Sequence, residues 1–325
     1  MTMLAIVLFT LMINSGVGLD WVSLNSLVKN KPDEAIQAYQ IALSRDDLTL
    51  RDYYRLHSLA IRAGAITFNN SVLLAALEAL KNKDFDALIE ESKVKLLANI
   101  GVAYRYREQN QQAIWHYRCA MNEATSSQYK AALKVNIAIA YTRINQPSLG
   151  YSLLKNIEKR FLPDYMRAGL ATALGNITFA LGESEEALRY FQEAAKQYRD
   201  DENYKAMRQV SVNSLGIHLL NEDFASYHKV LAEVELDDEL MSAKQHYLSW
   251  LTELERLLKQ GSNKPNLNTP DIMKAYALGA AKEDYAAMVN AHIDKFSLSI
   301  PKVDAQIVVK EPLPIELGKP WCLNL

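Results

Sequence analysis

The sequence predicts an all-α fold of helical hairpins repeated along a solenoid, ending in an extended, proline-containing C-terminal tail. Three units share a period of 37 residues, which is typical of stacked hairpins that bury their apolar faces against their neighbours. Composition agrees, because 49% hydrophobic and 23% charged residues with only 12 glycines favour a folded, helical chain. Four positions keep step through the three units, the first two with small residues and the third with large ones: Gly101, Ala138 and Gly175; Ala113, Gly150 and Ala187; Tyr117, Leu154 and Phe191; Ala120, Ile157 and Ala194.

Residues 1–18 resemble a secretory signal peptide. An apolar run from Leu4 to Ile13 is followed by the small-residue segment Gly16-Val17-Gly18, which predicts cleavage before Leu19 and a periplasmic or exported protein. No lysine or arginine precedes the run, so two alternatives stay open. One is an uncleaved inner-membrane anchor formed by residues 4–19, and the other is a buried repeat helix.

Residues 19–93 predict atypical N-terminal helical repeats. The stretch KPDEAIQAYQIALS has the spacing of a second helix, and Leu19 to Val28 are placed to form the first. Residues Asp52 to Lys81 contain two apolar runs separated at Phe68 to Ser71, which predicts a second pair of helices.

Residues 94–200 resemble the tetratricopeptide repeat family. The best unit matches that family's pattern at seven positions: Leu97, Ile100, Gly101, Tyr104, Ala113, Tyr117 and Ala120. Gly101 and Ala113 are expected to be small because the two helices of the hairpin cross there. The third unit has Thr178 where the family favours tyrosine, and the period is three residues longer than the family's, so we expect slightly lengthened helices.

The C-terminal third continues with less regular hairpins. We predict a degenerate helical repeat over 201–260, a linker at 261–270 and a C-terminal helical pair over 271–296. In the two degenerate pairs, Asp223-Phe224 and Asp284-Tyr285 are expected to open the second helices.

Residues 297–325 are predicted to run extended, because prolines forbid a helix and β-branched residues cluster around Ile307 to Val309. The tail is expected either to cover the last helix pair as a cap or to lie in the groove and compete with a partner. Cys119 is interpreted as a buried free thiol on a repeat helix. The alternative is a link to Cys322 that would pin the tail to the array in an oxidising compartment.

The sequence contains no pattern that indicates catalysis. Its six histidines lack metal-ligand spacing, and it has no Gly-rich phosphate loop and no nucleophile elbow, so we predict no enzyme activity, metal or cofactor. The formal charge of −2 and the lack of a dense basic stripe make nucleic acid a poor candidate partner.

The predicted binding surface is the groove lined by the first helix of each unit. Asn99 and Asn136 resemble the asparagines with which the tetratricopeptide family holds an extended peptide backbone. The alternative is that both cap or bridge neighbouring helices. Lys95, Val102, Arg105 and Tyr106 are expected on the same side, giving a basic and aromatic surface suited to an acidic or C-terminal segment.

These features predict a protein-interaction adaptor that binds a protein or peptide in the concave groove, with association with a membrane complex as a further expectation. A ligand-sensing envelope module that signals through a membrane partner is the alternative, and a deep, aromatic-rich pocket would favour it. A structural role in assembling an envelope complex is a third hypothesis, in which the convex face matters. The oligomeric state is not determined by the sequence.

Overall fold

The computed structural model describes residues 19–162, 164–261, 271–304 and 311–322. These residues form 16 α-helices and no strand, so the prediction of an all-α fold is confirmed. The chain divides into two compact units, of which unit 1 is Met1–Ile144 with Val309–Leu325 and unit 2 is Asn145–Val308. This division falls inside the predicted array of residues 94–200.

Unit 1 packs its helices in chain order. Successive helices contact each other, with one exception: the helix Asp86–Tyr106 (α5) packs mainly on Leu50–Ile66 (α3) rather than on the helix before it, Asn70–Ala79 (α4). The break between α3 and α4 covers residues 67–69 and overlaps the predicted Phe68 to Ser71. Asn69 caps α4 by accepting from the Val72 amide at 3.1 Å. The described helices are α1 (Trp21–Asn30), α2 (Pro32–Ala42), α3 (Leu50–Ile66), α4 (Asn70–Ala79), α5 (Asp86–Tyr106), α6 (Asn110–Glu123) and α7 (Ser127–Arg143).

The helices of unit 2 also pack sequentially from Pro147–Leu154 (α8) to Phe224–Val234 (α12). The helix Tyr204–Leu220 (α11) then contacts both Gln245–Gly261 (α14) and Ala286–Phe296 (α16). The region 201–260, predicted as one degenerate repeat, contains four helices, and Trp250 and Tyr247 from its last helix are fully buried. The described helices are α8 (Pro147–Leu154), α9 (Asp164–Ala180), α10 (Ser184–Asp200), α11 (Tyr204–Leu220), α12 (Phe224–Val234), α13 (Asp238–Ala243), α14 (Gln245–Gly261), α15 (Asp271–Lys282) and α16 (Ala286–Phe296).

The turns inside the hairpins repeat one local geometry. The backbone enters the left-handed region at Glu108 (φ 59°), Gly182 (φ 86°) and Glu222 (φ 54°), each just after the first helix of a pair. The amide of the following residue then donates to a carbonyl five residues back, as from Gln109 to Tyr104 at 3.0 Å. This pattern satisfies carbonyls at the helix end and turns the chain into the second helix.

Gly101 and Gly175 make the close helix approach that the sequence predicts. A Cβ added at Gly101 would lie 2.5 Å from the Tyr117 ring, and one added at Gly175 would lie 2.5 Å from the Phe191 ring. The two hairpins, one in each unit, therefore use the same pairing of a glycine with a ring. An added methyl group at either glycine would force the ring out of a well-packed position.

We expect Gly101→Ala to destabilise the protein by about 1–2 kcal/mol, because about 1–3 kcal/mol of overpacking outweighs the better helix propensity of alanine. The matched control is Gly169→Ala in α9, where an added Cβ meets nothing within 4 Å. That substitution should stabilise by up to about 1 kcal/mol. Urea unfolding followed by circular dichroism measures both changes, and a stabilising Gly101→Ala would contradict the assigned packing.

The tail is divided between the two units. Leu298, Ile300 and Val303 are buried in the unit 2 core, and the Asn290 amide both donates to the Val303 carbonyl (2.8 Å) and accepts from its amide (2.9 Å). These residues pack beside α16, and the cap over the last helix pair stays a prediction. Residues 311–322, in contrast, belong to unit 1. They contain a turn at 315–318 and a short 3-10 helix, Lys319–Trp321, so the tail does not run extended throughout as the sequence predicts.

Several predictions fall on residues outside the described ranges. These are the signal peptide or anchor at 1–18, residues 262–270 of the linker predicted at 261–270, and the β-branched residues Ile307 to Val309, and they stay predictions. Gly261, predicted to begin the linker, is the last residue of α14. Among the residues that are described, no helix is both long enough and apolar enough to cross a membrane.

Candidate functional site

The predicted groove residues lie in unit 1. Five of them are on α5, whose Asp86–Tyr106 span brings their side chains to one helix, and Asn136 is on α7. Lys95 is exposed, Asn99 is buried with 9% of its surface exposed, and the other four are half-buried. The α5 residues are Lys95, Asn99, Val102, Arg105 and Tyr106.

The two asparagines differ in their surroundings. Asn136 donates from Nδ2 to the carbonyl of Ala132 on its own helix at 3.3 Å, which is a bond along one helix rather than between helices. Asn99 is the more enclosed of the two. A role for either side chain in holding a peptide backbone therefore stays a prediction.

Arg105 and Tyr106 form an aromatic and basic surface at the end of α5. The Arg105 guanidinium lies 5.1 Å from the centre of the Tyr106 ring, within the range of a cation–π contact. The Tyr106 ring in turn meets Phe68 edge to face, with centroids 6.4 Å apart. The expected basic and aromatic character of this end of α5 is therefore present.

A second basic cluster joins α5 to α3. Partial desolvation of its ammonium lowers the pKa of Lys95, and the positive charges of Arg62 and Arg55 lower it further. Like charges close enough to shift a pKa raise the local positive potential and favour an anionic partner. One neighbouring charge is already neutralised, because Arg51 on α3 is bonded at 2.9 Å through both Nη atoms to the carboxylate of Glu91 on α5. We call Arg55, Arg62 and Lys95 the basic cluster.

Unit 2 has a row of polar side chains on its own first helices. Asn213 on α11 donates to Oδ1 of Asn176 on α9 at 3.3 Å, and these residues are 37 positions apart, the period of the repeat. Tyr285 donates from its hydroxyl to Oδ1 of Asn213, also at 3.3 Å. Equivalent positions of successive hairpins are thus in contact in this unit.

The C-terminal segment, residues 311–322, is linked to α6 by a Cys119–Cys322 disulfide across a sequence separation of 203 residues. The interpretation of Cys119 as a free thiol is therefore wrong, because α6 brings it within a Cα distance of 6.0 Å from Cys322. An open cleft of about 650 Å³ lies between α4 and this segment. Leucine, proline and charged side chains line it, including Leu74, Leu77 and Pro314.

Within the described ranges, no group of three or more histidine, cysteine, aspartate or glutamate side chains is placed to hold a metal ion. Comparison of the chain with models of known protein families, with curated proteins and with solved structures finds no match.

Several residues that shape these surfaces were not predicted from the sequence. Arg62 lies 37 positions before Asn99 and so occupies the equivalent place on the preceding first helix, a signal that could have identified it. Gln109 and His116, which contact the C-terminal segment, carry no such signal, because their partners lie about 200 residues away in sequence.

Proposed function

We propose that the protein is a protein-interaction adaptor, in which tetratricopeptide-like hairpins form a solenoid and the groove of unit 1 binds an extended acidic segment. Two observations support the solenoid. Glycine meets a ring in the same way at Gly101 and Gly175, and Asn176 and Asn213 touch at the repeat period. Sequential packing within each unit also agrees with this architecture.

The observation that carries the choice of partner is the basic cluster. Arg55 and Arg62 on α3 stand near Lys95 on α5, so positive charge accumulates on two successive first helices. The Lys95 side chain is exposed, so its ammonium is accessible to a carboxylate of a partner. The guanidinium of Arg55 also lies 5.0 Å from the centre of the Trp21 ring, which holds it in place. A segment rich in aspartate or glutamate, or a free C-terminal carboxylate, fits this surface.

Peptide selection against the purified protein tests this proposal. We expect enrichment of acidic sequences that bind more weakly as salt increases. The double variant Arg62→Glu/Lys95→Glu should weaken binding by about tenfold or more, because two attractive charges become repulsive. Asn99→Ala/Asn136→Ala should also weaken binding if the asparagines hold the peptide backbone.

The matched control is Lys130→Glu, which reverses an exposed charge on α7. It should bind the selected peptides as the wild type does. Selected peptides that bind Arg62→Glu/Lys95→Glu with unchanged affinity would contradict the proposed site.

A further inference from the structure

The C-terminal segment is held on unit 1 mainly through its backbone. The Gln109 side chain donates to the Leu313 carbonyl at 2.9 Å and accepts from the Leu313 amide at 2.7 Å. The Tyr104 hydroxyl donates to the Pro314 carbonyl at 2.5 Å and accepts from the Leu317 amide at 3.2 Å. Four bonds to main-chain atoms hold residues 313–317, which enter a turn at 315–318, without reading most of their side chains.

Two side-chain positions of the segment are also selected by close packing. Leu313 is buried, with 2% of its surface exposed. Gly318 lies directly against the His116 ring, so closely that a Cβ at this position would overlap the imidazole. At the other end, the Asn70 amide donates to the Glu311 carboxylate at 2.8 Å. The surface therefore fits a peptide with leucine followed by proline, then a turn, and glycine five positions after the leucine.

The disulfide ties the end of the segment to this surface for as long as the two cysteines stay oxidised. Without the disulfide, the segment would remain tethered to the chain and would compete with any incoming peptide at a high effective concentration. A partner that binds tightly enough would still displace it. With Cys322 bonded to Cys119, the end of the segment cannot leave α6. Both cysteines are nearly buried, at 6% and 4% exposed, so a reductant reaches them when the segment end opens locally.

We propose that the surface of α4, α5 and α6 is a second binding site, for a leucine- and proline-containing segment of a partner protein, which residues 311–322 occupy until Cys119–Cys322 is reduced. A dithiol supplies the two electrons and two protons. The sulfur–sulfur bond breaks, both cysteines become thiols and the dithiol closes to its own disulfide. This site goes beyond the proposed function, because it does not use the basic cluster.

The test uses full-length protein and a fluorescent synthetic peptide with the sequence of residues 311–321, measured by anisotropy. We expect saturable binding after treatment with a dithiol and none to the oxidised protein. The double variant Cys119→Ser/Cys322→Ser should bind without reductant. In reduced protein, Gln109→Ala should weaken binding about tenfold, since two bonds to the peptide backbone are lost. Gln111→Ala, an exposed glutamine on the same helix, is the matched control and should have no effect.

Equal binding to oxidised and reduced protein would overturn the proposal, as would binding that ignores Gln109→Ala or no binding to any form. Reduction that yields a stable dimer without peptide binding would also overturn it, because the site would then take the segment of a second copy. The variant Arg62→Glu/Lys95→Glu should bind this peptide normally. The second site and the basic groove can therefore fail independently.

Discussion

Replacement of Arg107 by methionine should destabilise unit 1 by about 3 kcal/mol or more, because it removes a buried donor shared by two helix ends. The guanidinium donates to the carbonyls of Gly64 (3.3 Å) and Ala65 (3.3 Å) at the end of α3 and of Ala103 (3.2 Å) near the end of α5. It also donates twice to Oδ1 of Asn70, at 2.9 and 2.5 Å.

Arg107 is 4% exposed, and burial lowers its pKa while the charge of Glu311 opposes that shift. Methionine fills similar volume but leaves the carbonyls and the Asn70 oxygen buried without donors. The positive charge also complements the negative C-terminal ends of the two helices. A lysine at this position would keep the charge and lose the fork of donors, so Arg107→Lys should fall between wild type and Arg107→Met.

Urea unfolding followed by circular dichroism measures this change. The matched control is Arg189→Met, which removes an arginine that is 73% exposed and paired with Glu186 on the surface of α10. That variant should change stability by no more than about 0.5 kcal/mol. A loss below about 1 kcal/mol in Arg107→Met would contradict the assigned role.

Acidification should destabilise unit 2 by up to about 3 kcal/mol through His292, which is fully buried. The indole of Trp250 donates to His292 Nδ1 at 3.1 Å. Because an indole N–H is a donor only, Nδ1 must be the acceptor, and the proton on Nε2 is donated to the Gly216 carbonyl at 2.9 Å. Burial lowers the pKa of His292 to about 4, while the bond to Gly216 opposes the shift.

In the unfolded chain this histidine binds a proton once the pH falls below its ordinary pKa of 6.5. In the folded protein it does so only when the pH falls to its lowered pKa of about 4. Stability from His292 is therefore complete above about pH 6.5 and is lost progressively as the pH falls to about 4. Urea unfolding at several pH values between 7 and 5 measures how steeply the free energy of unfolding falls with pH. Most carboxylates titrate below this range.

The His292→Gln variant isolates this contribution. The variant should be less stable near neutral pH, because the imidazole contacts are lost. Glutamine has no proton to gain in this range, so the free energy of unfolding should fall less steeply on acidification. His116 in unit 1 has a pKa lowered to about 4 by burial and keeps its contribution to the slope in this variant. An identical decline in wild type and His292→Gln would show that the buried imidazole is not the titrating group.

Much of the fold could be predicted from periodicity. The break between α3 and α4, the start of α12 at Phe224 and the helical pair over 271–296 were all indicated by apolar spacing and by polar residues at helix starts. Gly101 was predicted to be small because a neighbouring helix approaches it, and the Tyr117 ring lies there. These are local or near-neighbour features, which a repeating pattern encodes directly.

The candidate sites were harder to predict. The sequence indicated a basic and aromatic surface on α5, but it did not show that Arg55 and Arg62 stand close enough to Lys95 to shift its pKa. Charges on separate helices come together only through helix packing. The role of the two asparagines also depends on how α5 and α7 present them, and Asn136 is bonded within its own helix.

The all-α class, the period of 37 residues and the positions of small residues can be read from the amino-acid sequence alone, because each follows from spacing along one or two helices. The position of the C-terminal segment and the pairing of Cys119 with Cys322 depend on how the chain folds in three dimensions. The same holds for Gln109, Tyr104 and the segment that they bind. Contacts between residues some 200 positions apart leave no periodic trace in a single sequence, because they depend on how the whole chain folds back.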